Sequence, residues 1–421
     1  MNSNVIIAVM IFILVMIAII SEKINRVIAV MTGALLMIIL NIITVEIGIE
    51  HIDFNTIGIL IGMMMFVSVV KNSGLFEYIA IVTAKYAKGD PLKIMVLFTI
   101  ITAILSAVLD NVTTVLLIGP MIIVITQILN IDATLFLITQ IIASNIGGTA
   151  TLIGDPPNIM IGSAANLSFM DFVINLGPIV AVILFVNILL FKIIFKHKLH
   201  VEEEYKKEIL RLDEKKSIKD IVLLKKSIVM MILILLGFML HSVINIESSI
   251  VALTGATIML FIGKQDIDEI LSGVEWSSIV FFCGLFVMVG GLVEVGAIDM
   301  LASNLINASE GNMVLTMILI LWLSAIVSCF LDNIPFVATL IPLLLTMQSQ
   351  GLDVKSLWWA ASLGACLGGN GTLIGASANI VLANIGQKHG YEITFKGYLK
   401  IGFPLMVISV LIAMVYLLIR F

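Results

Sequence analysis

Two stretches of this sequence set the same polar group inside an apolar run: Ser106-x-x-Leu109-Asp110-Asn111 and Ser328-x-x-Leu331-Asp332-Asn333. A carboxylate placed at bilayer depth costs ~2.5–3.5 kcal/mol on insertion scales unless it is paired, protonated or ion-bound. Such an aspartate can also simply cap a helix N-terminus, where it favours the helix dipole. A cap needs neither the serine nor the asparagine, and the two roles are compatible. Each stretch is followed by a second motif, NIGGTATLIGDPPN (Asn145–Asn158) and CLGGNGTLIGASAN (Cys366–Asn379). The paired glycines Gly147-Gly148 and Gly368-Gly369 break a helix and free its carbonyls. Pro156-Pro157 then suits the first turn of a new helix, where missing N–H groups do no harm. A discontinuous helix brings a carbonyl end and an N–H end to one point, with sites for a cation and for anionic groups.

The candidate binding residues follow from these motifs. In the first half they are Ser106, Asp110, Asn111, Thr113, Thr114, Gly147, Gly148, Thr149, Thr151, Asp155 and Asn158. In the second they are Ser328, Asp332, Asn333, Gly368, Gly369, Asn370, Thr372, Ser377 and Asn379. The halves differ where Asp155 corresponds to Ala376, Thr113 to Pro335 and Thr114 to Phe336. With two carboxylates and extra hydroxyls, the first is expected to be the stronger cation or proton site. Oxygen-rich pockets suit hard cations, so a Na+ is expected at Asp110, Asn111 and Thr151 or at Asp332, Asn333 and Thr372. No cofactor is expected beyond a coupling Na+ or H+.

The elements that must position these residues are apolar helices. The chain has 421 residues, 60% hydrophobic and 12% charged, with a mean hydropathy of +1.18, whereas soluble domains carry ~25% charged residues. A crossing takes ~20 apolar residues, which predicts spans near 5–20, 27–43, 55–72, 134–165, 172–195, 228–244, 246–263, 277–293, 357–384 and 401–419. Two longer runs, near 94–127 and 313–347, hold their aspartates at mid-length and read as re-entrant hairpins. Such backbone is tolerated only when buried in protein or lining a wet cavity. The first run has no positive n-region and no small-residue cleavage site before Glu22, so it reads as a retained span. Counted on this topology, one set of loops holds 21 of the 23 Lys and Arg. That set is expected in the cytoplasm and both termini outside.

An internal repeat decides the class. At an offset of 222 residues, slipping to 221, Thr32-Gly33-Ala34 recurs as Thr254-Gly255-Ala256, Gly62 and Gly74 as Gly284 and Gly296, and Pro120 as Pro342, besides the motifs above. Five spans per half make the second half upside down. The expected fold is therefore an all-α polytopic membrane protein of two inverted-topology repeats, each with a re-entrant hairpin and a broken helix. Residues 1–195 form the first repeat, 196–226 a charged cytoplasmic connector, and 227–421 the second repeat. Inverted repeats with interrupted segments are the signature of a secondary transporter.

Other classes fit less well. A net charge of -5 offers no footprint for nucleic acid. The three cysteines (Cys283, Cys329, Cys366) and five histidines (His51, His197, His200, His241, His389) show no disulfide or zinc spacing. The chain has no P-loop, so coupling to ATP would require a separate ATPase subunit, and none is implied. A channel would need a continuous polar path. An intramembrane aspartyl protease would leave the matched, inverted Asp-Asn pairs unexplained, so no enzyme is expected. The 23 methionines and the cysteines beside the motifs read as packing, and Glu77 to Lys88 as a segment on the cytoplasmic surface.

Over nearly its whole length the chain resembles the ion transporter superfamily, in the branch of arsenite permeases, NhaD-type sodium/proton antiporters and P-protein-like permeases. LDNVTTVLLIGP with GGTATLIGDPPN is most similar to the P-protein-like permeases, and LDNIPFVATLIPL to the NhaD type. Related sodium-coupled dicarboxylate carriers carry Ser-Asn-Thr at their hairpin tips, where this chain has Asp110-Asn111-Val112 and Asp332-Asn333-Ile334. A fixed negative charge in each tip repels a dianion and disfavours citrate or succinate. The resemblance implies a scaffold, a mobile transport unit holding both hairpins and both broken helices, a homodimer in the inner membrane and elevator-like alternating access. It implies H+- or Na+-coupled movement of a small inorganic ion or solute, with arsenite/antimonite efflux and Na+/H+ antiport ahead of carboxylate symport.

Overall fold

A computed structural model describes residues 3–21, 23–196, 199–308 and 312–421. Met1, Asn2, Glu22 and, in the charged connector, His197 and Lys198 fall outside the described residues. The described elements are helices. α1 (Ser3–Ile20) and α2 (Arg26–Ile39) lead through the short α3 (Val45–Glu50) to α4 (Phe54–Lys71) and α5 (Leu75–Tyr86). α6 (Pro91–Val108) and α7 (Asn111–Ile128) form a hairpin. α8 (Thr134–Gly148) and α9 (Pro156–Ala165) are the two parts of an interrupted helix, and α10 (Phe169–Phe195) closes the first half. After α11 (Glu203–Arg211) the order recurs. α12 (Ile221–Leu240) and α13 (Ser248–Gly263) precede the short α14 (Ile267–Ser272), then α15 (Trp276–Glu294) and α16 (Ala297–Ala308). The hairpin α17 (Met313–Phe330) and α18 (Asn333–Ser349), the broken pair α19 (Lys355–Gly368) and α20 (Ser377–Lys388), and α21 (Phe395–Arg420) complete it. From α2 to α7 each helix starts 222 residues before its counterpart, and α8 and α9 start 221 before theirs.

Local chemistry sets the boundaries. Asp53 caps α4 through the amides of Asn55 and Thr56, and Asp90 caps α6 with Pro91 at its first position. Ser168 and Asp171 form a reciprocal capping box at α10. Gly74 (φ 83°) and Gly296 (φ 76°) turn α4 into α5 and α15 into α16 in the left-handed region, where a side chain would be strained.

Packing obeys an exchange of the halves. α2 lies against α15 and α4 against α13; α6 packs on α8 and α17 on α19. α7 crosses to α20, and α18 crosses to α9. Large apolar side chains such as Leu14, Ile39, Ile193 and Phe261 face outward, while Asp155, Asn145, Asn158 and Asn379 are fully buried. That inside-out polarity, with nine helices among the described residues long and apolar enough to cross a membrane, is that of a polytopic membrane protein.

Several details differ from the sequence expectation. α12 starts at Ile221, so the polar connector ends at Asp220, which caps the helix, and not at residue 226. Glu77–Lys88 is not merely laid on the surface: α5 buries Phe76, Ala80 and Ala84 and packs against α7. Its counterpart α16 and the short α3 and α14 were not expected, because six to twelve residues are too few for a hydropathy pattern to stand out. Three of the four hairpin arms, α6, α7 and α17, are long and apolar enough by themselves to count as crossings, while α18 is shorter. The tip of α6–α7 nevertheless lies level with the break between α8 and α9, because Asn111 N donates to Gly154 O at 3.0 Å.

Candidate functional site

The two tips and two breaks converge. Asp110 is the N-cap of α7 and accepts from Thr113 N at 2.7 Å. Asp332 caps α18 and accepts from Ile334 N at 3.4 Å. Capping therefore accounts for one carboxylate oxygen of each aspartate. Asp155 precedes α9 but makes no side-chain cap, because Pro156 and Pro157 offer no N–H. Its carboxylate instead accepts from Asn333 Nδ2, at 3.2 Å and 3.3 Å to the two oxygens. The break of the first half is thus held by the hairpin tip of the second.

The asparagines form the centre. Asn145 Nδ2 donates to Asn370 Oδ1 at 3.0 Å and Asn379 Oδ1 at 2.9 Å, and Asn145 Oδ1 accepts from Asn111 Nδ2 at 3.2 Å. Asn158 Nδ2 holds the freed carbonyls of Thr149 and Thr151 at 3.2 Å and 2.9 Å, and its oxygen accepts from Ser362 at 2.5 Å. Asn379 does the same in the other half, at 2.7 Å from Gly369 O and 2.9 Å from Thr372 O. Helix breaks leave carbonyls without partners, and buried ones must be satisfied.

The serine and threonine candidates serve the scaffold of the site. Ser106 donates to Ser144 O and Ser328 to Ala365 O, both at 2.6 Å. Thr149 donates to Asn145 O at 2.7 Å. Thr151 and Thr372 donate to Ala107 O and Cys329 O at 2.5 Å, which leaves only their lone pairs for a cation. Gly147 and Gly368 are needed for close approach: a Cβ on either would run into the carbonyl of Ala103 or Ala325. Gly148 and Gly369 let the chain double back against Gly154 and Gly375. Thr113 contributes its backbone amide, and the hydroxyl of Thr114 is buried without a partner, as are Asn111 Oδ1 and Asn370 Nδ2. Among the described residues no three His, Cys, Asp or Glu are grouped as a metal would need. A cation here would be held by carboxylate, amide and carbonyl oxygens.

Sequence reasoning missed three contributors. Asn145 opens the glycine motif, two residues before Gly147, and its counterpart is Cys366, so the repeat hid it. Cys366 is more than filler, for its thiol reaches Asn158 Oδ1 at 3.5 Å. The third is Arg26, one of the 21 basic residues expected on the cytoplasmic side. Its guanidinium lies 3.2 Å from Asp332 Oδ2 and also donates to Ser377 Oγ, while Ser377 Oγ donates to Asp332 Oδ2 at 2.5 Å.

Residues 16–364, most of the chain and all of the first half's site, match the family model described as CitMHS, citrate transporter. The chain belongs to the CitMHS citrate transporter family. It is 41% identical to an uncharacterized transporter of Mycobacterium bovis, over 99% of this chain and 98% of that one. Identity is also 41% with a 46 kDa membrane protein of Mycobacterium leprae, over 99% of each. The P protein of Homo sapiens is 32% identical over 95% of this chain and 58% of its own length. Family membership makes the protein a membrane transporter.

Proposed function

We propose that this chain is a secondary transporter that moves a small inorganic ion or solute coupled to H+ or Na+, of the arsenite-permease or Na+/H+-antiporter type. The observation that carries the reading is Asp155: a carboxylate fully buried at a helix break, with the neutral Asn333 amide as its side-chain donor among the described residues. Neutral donors do not offset the desolvation of a charge at such a site, so the carboxylate needs a proton or a mobile cation. Asp110 and the unpartnered Asn111 Oδ1 supply further oxygens on the same side. Arsenous acid is neutral near neutral pH, so acidic tips admit it.

In this reading the two halves are inverted in the inner membrane, with both termini outside and the polar connector that ends at Asp220 in the cytoplasm. Five crossings per half and the placement of 21 of 23 basic residues support that arrangement. The hairpins and broken helices form the mobile unit of an elevator, and the chain works as a homodimer.

A second reading, Na+-coupled symport of a carboxylate, is favoured by Arg26. Its guanidinium neutralises the Asp332 tip, so repulsion of a dianion falls on Asp110 and Asp155 alone. The first half then holds the cation and the second, with Arg26, Ser377 and the proline-free start of α20, meets the anion.

Purified protein in proteoliposomes holding a pH-sensitive dye separates these readings. Proton movement driven by Na+ or Li+ supports antiport, arsenite-dependent movement the arsenite permease, and citrate uptake that requires Na+ the symporter. Silence to all of them would sink the coupled-transport proposal.

A further inference from the structure

The Arg26 guanidinium meets three elements at once. Nη1 touches Asp332 at the α17–α18 tip and Ser377 at the start of α20, and Nη2 donates to Ser278 Oγ of α15 at 3.4 Å. The group lies 5.4 Å from the centre of the Phe281 ring, and Ser278 Oγ is itself tied to Glu275 Oε2 at 3.1 Å. α2 and α15 pack together, α15 also meets α18, and α18 and α20 pack on α9 and α7. Arg26 therefore adds a polar tie across the seam between the α2–α15 pair and the hairpin and broken-helix assembly.

The repeat makes the contact one-sided. Arg26 corresponds to Ser248, and Ser377 to Pro156. Among the described residues Asp110 forms no ion pair, whereas Asp332 does. Asp332 Oδ2 already receives a guanidinium and a hydroxyl, so a metal cation cannot bind that oxygen without displacing Arg26: two positive charges on one largely buried oxygen repel each other.

We propose that Arg26 is a tethered cation that competes with a mobile metal cation for Asp332 and latches the unloaded α17–α18 tip to α2 and α15. The proposal rests on the reading that Asp332 faces the cation path. Loading Asp332 releases the latch, so this tip moves when charged with a cation and stays when empty. The first half, with Ser248 in place of the arginine, has no such hold on Asp110, and the two ends of the transport cycle differ accordingly.

Hydrogen–deuterium exchange on the full chain in lipid nanodiscs, at one pH, tests this without knowledge of the substrate. Choline chloride is compared with NaCl and LiCl at equal ionic strength. In choline the wild-type tip, residues 328–336, exchanges slowly, and Na+ or Li+ speeds it about fivefold, the scale of one modest ion pair. Arg26→Gln exchanges at the fast rate in every salt, as does Asp332→Asn, while Arg26→Lys keeps a cation response. Slow exchange of Arg26→Gln in choline, or a full cation response that persists in it, overturns the proposal; so does a wild-type tip indifferent to both cations. If Arg26→Gln exchanges faster in every peptide it has unfolded, and Asp332→Asn then decides alone. Cation-driven flux that survives Asp155→Asn would remove Asp155 as the coupling site and leave this exchange difference standing.

Discussion

Asp155 and Asn145 are the residues on which the site turns. Asn145 joins Asn111, Asn370 and Asn379, and its removal leaves three buried amides short of a partner at ~1–3 kcal/mol each when unsatisfied. Asn145→Ala should lower the thermal unfolding temperature in detergent by several degrees, whereas an unchanged midpoint would mean that water replaces the bridge. Ser362→Ala, by contrast, removes a single donor to Asn158 and is expected to shift the same midpoint by much less. The aspartates were legible from sequence because they recur with their asparagines in an apolar setting. Arg26 was not, for 306 residues separate it from Asp332, and its own neighbourhood looks like any basic cytoplasmic turn. Asn145 was hidden because its counterpart is a cysteine and the repeat was the guide.

At the scale of elements, the account rests on helices that stop where glycine and aspartate make them stop. Gly147 sits against the Ala103 backbone of α6, so Gly147→Ala must push α8 off α6, and overpacking of this kind costs ~1–3 kcal/mol. Gly177, inside α10, has open space where a Cβ would go. Gly177→Ala should be neutral or stabilising by ~0.5–1 kcal/mol. Thermal melts of the two variants side by side test the contrast, and equal destabilisation would contradict it. Spans, hairpins and breaks were readable because length, apolarity and a polar interruption are all local signals. The short α3, α14 and α16 carry none of these; tertiary packing decides them.

For the whole molecule, the ordered recurrence of ten helices and the exchanged pairing of α2 with α15 and α13 with α4 are what two equivalent halves require. Their opposite orientation is a prediction with a direct check. Single cysteines at Lys215 and Lys388 should react with an impermeant thiol reagent only from the cytoplasmic side, and cysteines at Asn245 and Asp353 only from outside. Labelling of Asn245 and Lys215 from one side would end the inverted reading. The pairing could not be foreseen from the spans alone, because apolar helices of similar length leave their neighbours unspecified.

The central claim is that the buried carboxylates hold the coupling cation. Its most direct test is ion-driven flux in proteoliposomes for wild type, Asp155→Asn and Asp353→Asn, an exposed aspartate before α19 that accepts from Lys355 N. The account predicts that Asp155→Asn loses ~10-fold or more of the cation-driven rate, with the Asp353 variant at the wild-type rate and all three proteins equally folded. A wild-type rate in folded Asp155→Asn would contradict it.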